Sequence, residues 1–380
     1  MFRNNTTFVI GAGASAEFGL PVGWQLAKRI KSRASCHRNN LGHVVRPLDP
    51  FVDELLRNRY QNEKEFREAV YALDAIHEGI RTAVSIDAFI DRFQNNPYVA
   101  TMGKLLIAIE IAEAESNSLM HTNRASLNEL EQKTADDTWI GSFVRILLDG
   151  VKEPDDVGKN INIICFNYDR CIEYYLAEEI GSAYDIAIED AEEIVSRMNI
   201  IHPYGTLGKL PWVKVGIDDD ALKFGPDIDL NTDWFSIAQK NIRTYTEQTH
   251  DINRTWKIHN AIGQSNVLVF LGFGFNNQNL DLLRVKAFPE DYDMKPRNVY
   301  STGKGIERQV ANTLRRRIGN LFGDYASQRS TWDESIHIEH DKTCGDLFYI
   351  HNMNLSQFIE RYSDHDAGIL RDIRSPNPDS

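Results

Sequence analysis

The chain has 380 residues, 42% hydrophobic and 26% charged, which suits a soluble protein of one large or two smaller domains. A net charge of −13 argues against nucleic-acid binding by the surface as a whole, and no direct nucleic-acid contact is expected. No apolar run approaches the ~18 residues of a membrane span, and Cys36, Cys165, Cys171 and Cys344 form neither a CxxC pair nor a Cys/His finger spacing, so reduced thiols, a cytoplasmic setting and no metal are expected.

Met1–Asn5 lead directly into Thr6-Thr7-Phe8-Val9-Ile10, which leaves no room for a signal peptide. That apolar, β-branched run predicts a buried strand. Gly11-Ala12-Gly13-Ala14-Ser15 predicts a glycine turn at its carboxyl end, followed by a helix through about Ile30. Gly11 permits the tight turn, and Gly13 lets the backbone approach a ligand closely. Free N–H groups at the helix start then face an anion, typically a pyrophosphate. Gly11-x-Gly13-x-x-Ala16 fits the relaxed dinucleotide fingerprint. A dehydrogenase of the ordinary kind also needs a second strand ending in Asp or Glu about 20 residues on. Residues 35–43 contain no such strand, which disfavours that class.

Residues 31–60 predict a polar connection with a short helix near Phe51–Arg59. Phe66, Ala69, Val70, Leu73, Ile76 and Ile80 then share one helical face. Further helices are expected from Ser85 or Asp87, over Met102–Ala114 and over Trp139–Leu148. Residues 45–150 therefore form a mostly helical insertion. The sheet resumes with Ile161–Phe166, ending in Asn167-Tyr168-Asp169, where Asp169 is placed to cap the helix that follows. Asn199-Ile200-Ile201 ends in His202-Pro203-Tyr204-Gly205-Thr206, and Asn266–Leu271 ends in Gly272-Phe273-Gly274-Phe275-Asn276. Arg297–Tyr300 ends in Ser301-Thr302-Gly303. Two weaker strands are expected at Ser335–Glu339 and Leu347–His351, beyond a helix over 306–322 with a basic face of Arg308, Arg315, Arg316 and Arg317. The tail 374–380 reads as disordered.

Strands alternating with helices indicate an α/β fold: a Rossmann-like, largely parallel sheet with helices on both faces and a helical insertion. Residues 1–305 form the expected nucleotide-binding domain and 306–380 an extension. Ligands bind such sheets beyond the carboxyl ends of the strands, and the polar clusters at those ends mark that edge as the site.

Taken together, Gly11-Ala12-Gly13-Ala14-Ser15 with Gly19-Leu20-Pro21, Phe166-Asn167-Tyr168-Asp169, His202 with Gly205-Thr206, and Gly272-Phe273-Gly274-Phe275-Asn276 resemble the sirtuin family. The likeness is to the sirtuin-like domains of prokaryotic antiviral defence, which hydrolyse NAD; Ser85-Ile86-Asp87-x-Phe89-Ile90 is also similar to a helix start of that group. Two features depart from the deacylases of the family. There is no zinc ribbon of two CxxC pairs, and Pro203 and Tyr204 stand between His202 and Gly205. The resemblance implies a Rossmann-like NAD fold with Asn167 and His202 as catalytic pair. It implies that Gly11, Ala12, Gly13, Ser15, Asp169, Gly272, Gly274 and Asn276 hold NAD, with Ser301, Thr302 and Gly303 at the adenosine end. It further implies an NAD-depleting defence effector, controlled by a partner such as a HerA-type ATP-driven DNA translocase or, less closely, an Argonaute-like protein.

Cleaving NAD at its glycosidic bond needs an oriented ribose, a held water and a shielded site. Asn167 offers an amide for a ribose hydroxyl or the water, and His202 a base near neutral pH. The same residues also suit a subunit that binds NAD or ADP-ribose without turnover, or a deacylase or ADP-ribosyl transferase with an acceptor groove. Leu105, Leu106, Ile107, Ile109 and Ile111 make one helix apolar on nearly all sides, which requires a cover on more than one side, either neighbouring helices of the chain or a partner subunit; a homo-oligomer built partly through the insertion is the expectation.

Overall fold

A computed structural model of the chain describes residues 1–83, 85–93, 95–122, 134–213, 221–230, 233–285, 298–322 and 333–357. Arg297 and the tail 374–380 lie outside the described residues. Strands β1 (Thr6–Ile10), β4 (Ile161–Cys165), β5 (Ile200–Ile201), β6 (Val267–Leu271), β7 (Asn298–Gly303) and β8 (Ile336–His340) form one sheet in the order β5-β4-β1-β6-β7-β8. Every pairing in it is parallel. This is the doubly wound Rossmann order: the chain steps outward from β1 through β4 to β5, then returns beside β1 to lay down β6, β7 and β8. The direction reverses between β1 and β6, so the crevice of the fold opens at their carboxyl ends. A small antiparallel hairpin, β2 (Cys36–Arg38) and β3 (Val44–Pro47), stands apart from the sheet within the stretch expected to be polar connection.

The period-2 geometry of the strands divides the core in two. Val9, Ile164, Leu268 and Phe270 point to one face, and Phe8, Ile10, Ile163, Val267, Val269 and Leu271 to the other. On the first face pack α2 (Gly23–Arg33), α3 (Pro50–Arg59), α4 (Glu63–Gly79), α5 (Ile86–Asp91), α6 (Pro97–Ser116), α11 (Trp234–Asn241) and α13 (Ile252–Gln264). On the second lie α8 (Trp139–Leu148), α9 (Cys171–Tyr184), α10 (Ile188–Arg197) and α16 (Cys344–Leu355). The helical insertion thus contributes to both layers of one core.

Three features of the packing bear on the expectations. Leu105, Leu106, Ile107 and Ile109 are fully buried within a single chain, with α2, α4, α5 and α11 packed around α6. The cover of the apolar helix is thus made by neighbouring helices of its own chain. Its buried charges are paired internally, Lys104 with Glu247 at 2.8 Å, Glu110 with Arg33 at 2.7 Å and Glu115 with Arg170 at 2.5 Å. Second, Leu347–His351 is helical. Thr343 and Asp346 form a capping box, and Leu347, Phe348, His351 and Leu355 are buried at helical spacing while Tyr349 and Met353 are exposed. Third, the chain beyond 305 contributes to the sheet itself. Strand β8 is the sheet's sixth strand, and the Arg3 N–H donates to the Leu355 carbonyl at 2.9 Å, tying α16 to the amino terminus. No helix among the described residues is long and apolar enough to cross a membrane. The four cysteines are unbridged, with Cys165 closing β4 and Cys171 opening α9.

Candidate functional site

The two glycine loops meet each other at the crevice. The Gly11 N–H donates to the Leu271 carbonyl at 2.9 Å and the Gly13 N–H to the Gly272 carbonyl at 3.0 Å. A Cβ on Gly13 would stand 2.8 Å from the Gly272 Cα, and one on Gly272, whose φ is +56°, only 2.1 Å from the Ala14 nitrogen. Backbone packed on backbone is what these glycines permit, where the residue pattern predicts approach to a ligand. The expected helix is also broken. α1 (Ala12–Ser15) is a single turn, followed by a 3-10 turn and by Gly19 at φ +94°, and the long α2 begins only at Gly23. The Gly13 and Ala14 N–H groups are spent inside the protein, on the Gly272 and Gly11 carbonyls. The pyrophosphate seat predicted at this helix start is therefore not formed by those two donors. Gly274 differs: it is exposed, with no atom within 4 Å of an added Cβ.

A chain of buried polar side chains links the loops after β1 and β4. The Asn167 Nδ2 donates to the Ser15 hydroxyl at 2.8 Å and to the Gly11 carbonyl at 3.2 Å, and the Ser15 hydroxyl donates to Asp169 at 2.9 Å. Asp169, one residue ahead of the N-cap of α9, also accepts from the Cys171 N–H at 3.3 Å; that N-cap is Arg170 rather than the expected Asp169. Burial, with the Glu115 charge nearby, pushes the Asp169 carboxyl above its ordinary range.

His202 follows β5. Its Nδ1 stands 3.0 Å from the Asn167 carbonyl oxygen and its Nε2 2.8 Å from Glu173 on α9. Both partners are acceptors, so both ring nitrogens donate and the imidazole is held as a cation. Burial opposes that charge, but Glu173 outweighs it and lifts the His202 pKa well above its ordinary value. Burial likewise works to raise the Glu173 carboxyl, and His202 reverses this and holds it low. Both His202 nitrogens thus face acceptors and its pKa is raised, an arrangement that favours a positioning role over that of a ready proton acceptor. Glu173 is the residue sequence reasoning missed. Its only signal is position, one helical turn beyond the Asn167 loop; what it meets depends on β5 lying beside β4. Its Oε2 is buried without a hydrogen-bond partner.

The remaining expected residues divide. Asn276 caps α14 (Asn277–Leu283), accepting from the Asn279 N–H at 2.9 Å. Strand β7 runs on through Gly303, so Ser301 and Thr302 are buried in the strand rather than in a loop beyond it. The Thr302 hydroxyl accepts from the Gly272 N–H at 2.8 Å and so braces the glycine loop from behind. A Cβ on Gly303 would lie 2.7 Å from the Glu339 carbonyl of β8, which makes this glycine a packing requirement of the sheet edge. Of the arginines expected on one basic face, Arg317 donates to the Phe275 carbonyl and Arg315 to that of Ile336. Ser85 caps α5 as expected, and Asp87 behind it accepts from the Tyr168 hydroxyl. Among the described residues no group of three or more His, Cys, Asp or Glu side chains is arranged to hold a metal ion.

The structure thus brings Gly11, Ser15, Asn167, Asp169, His202 and Gly272 to one edge of the sheet and leaves Ser301 and Gly303 inside it. Beside His202 and Glu173 a cavity of about 750 Å³ opens under β5, lined among others by Ile200, Thr206, Lys209, Arg243 and Arg254. No protein-family model matches the chain, and no curated protein matches it.

Proposed function

We propose that the protein cleaves NAD at its glycosidic bond. Supporting this reading is the Asn167–Ser15–Asp169 chain backed by the His202–Glu173 pair, at the edge where a Rossmann sheet receives nucleotides. In the reaction a water oxygen bonds to the ribose C1′ and the C–N bond breaks. Its electron pair goes to the pyridinium nitrogen, releasing neutral nicotinamide and, after loss of the water's proton, ADP-ribose. The Asn167 Nδ2 is committed to Ser15 and Gly11, and its Oδ1 is the atom assigned to a ribose hydroxyl or the water. The His202–Glu173 pair holds the Asn167 loop through the Asn167 carbonyl, and the water's proton leaves to solvent. The resemblance to sirtuin-like defence domains extends the proposal to an NAD-depleting effector regulated by a partner, a HerA-type translocase before an Argonaute-like protein.

The test is chromatography of NAD incubated with the purified protein, alone and with that partner. Nicotinamide and ADP-ribose should appear in equal amounts and vanish in Asn167→Ala and Glu173→Gln variants that keep their fold. Failure to form either product in every condition sinks the enzymatic claim. A second reading, a subunit that binds NAD or ADP-ribose without turnover, draws on the saturated His202 and the close packing of the glycine loops. It requires calorimetric binding of NAD with no product.

A further inference from the structure

The cavity under β5 has the opposite electrical character to the chain that contains it. Its lining carries six lysines and arginines, Arg170, Lys209, Lys240, Arg243, Arg254 and Lys257, against two carboxylates, Glu173 and Asp251, in a chain of net charge −13. Both carboxylates are already engaged. Glu173 is paired with the His202 cation at 2.8 Å. Asp251 is shared by two guanidinium groups, Arg243 at 3.4 Å and Arg254 at 3.7 Å. One carboxylate between two arginines leaves a surplus positive charge in a place where the Arg254 side chain is only 26% exposed. Burial, and then the like charge of Arg243, lower the Arg254 pKa, as expected of a cation short of counter-charge. Arg170 is engaged elsewhere, with Glu115. Lys209 and Lys257 add point charges at the cavity wall; Arg254 also donates to the Pro203 carbonyl and to Gln248 Oε1, and the planar Arg243 guanidinium beside it offers donors of the kind that grip phosphate oxygens. The volume lies within the ~300–1,000 Å³ of small-molecule sites.

We propose that this cavity is a phosphate-binding site that takes the phosphoryl or pyrophosphoryl group of a nucleotide-sized molecule. The molecule is either the substrate of the proposed reaction, entering with its pyrophosphate on the β5 side of His202, or a separate phosphorylated effector. The site itself does not depend on NAD hydrolysis.

Titration calorimetry with inorganic pyrophosphate tests it on the full chain. The wild type should bind with a Kd at or below about 1 mM. Lys209→Gln/Lys257→Gln should weaken binding by about tenfold or more, the loss expected for charge-assisted contacts. Arg243→Gln should do the same; both variants should keep the wild-type circular dichroism. Competition by NAD assigns the site to the substrate's own pyrophosphate, and additive binding of the two assigns it to an effector. No binding by the wild type, or equal binding by wild type and both variants, overturns the proposal. Pyrophosphate binding by a protein that never cleaves NAD would instead overturn the proposed reaction and leave this site standing.

Discussion

The His202–Glu173 pair sets the behaviour of individual residues at this edge. Each is nearly enclosed, with side chains 9% and 16% exposed, so removing one leaves the other as a buried, uncompensated charge. His202→Ala should cost about 3 kcal/mol or more, and Glu173→Gln a comparable amount. The pH dependence follows from the two shifts. His202 is raised above 6.5, so its contribution is complete below that pH and is lost as pH climbs through the folded value. Glu173 is depressed below 4.5, so its contribution is complete above that pH and is lost on acidification. Melting curves of wild type and His202→Gln should therefore differ most at about pH 5–6 and converge on either side. Asp87 runs the other way. Burial lifts its pKa to about 6, against the hydrogen bond from Tyr168. The unfolded chain ionises this group near 3.8 and the folded chain only near 6, so its charge weighs on the fold at neutral pH. Asp87→Asn, which keeps an acceptor for Tyr168, should raise Tm at pH 7 and change it little at pH 4; an equal rise at both contradicts this.

Among the elements, the glycine loops give the sharpest contrast. Gly272→Ala forces a Cβ onto the backbone of the other loop at a left-handed φ, and should cost about 2 kcal/mol or more in denaturant unfolding. Gly274→Ala meets nothing and has an unstrained φ, so its stability should match wild type within about 0.5 kcal/mol. If substrate approaches this loop, Gly274→Ala raises the KM for NAD without a change in Tm. Helix α6 behaves as core. Ile107→Asp places a charge where the side chain is fully buried, and should abolish the cooperative thermal transition seen by circular dichroism. A folded Ile107→Asp variant of lower mass would restore the interface reading that the packing of α6 removes.

For the whole molecule, the integration of the carboxyl-terminal segment has a direct consequence. A chain ending at residue 305 loses β8 and α16, which exposes the β7 edge and the aromatic cluster of Phe2, Phe8, Trp139 and Phe143 that Phe348 completes. Such a chain should be insoluble or protease-sensitive throughout, whereas a separable extension would leave a stable 1–305 core in limited proteolysis. Homo-oligomerisation stays open as a proposal without α6 as its seam, and light scattering at micromolar concentration decides it.

The order of strands and turns was legible in the residues because it rests on local chemistry. Apolar, β-branched runs ending in Gly, Asn, His or Asp required strands with polar carboxyl ends, and the switch-point edge followed from a parallel sheet. That Asn167, Ser15 and Asp169 stand at that edge was therefore readable. What they do to one another was not. Ser15 meets Asn167 and Asp169 only because β4 pairs with β1, and Glu173 meets His202 only because β5 pairs with β4. The two glycine loops close on each other because β6 returns beside β1. A helix apolar on all sides fixes burial but not the identity of its cover, which here is the chain itself. Likewise the lysines and arginines of 209–257 are scattered along the chain and become one basic cavity only when the segments folded under β5 converge. Pattern determines which groups are buried or turned at a strand end; the pairing of strands and the packing of loops between them decide which charges meet.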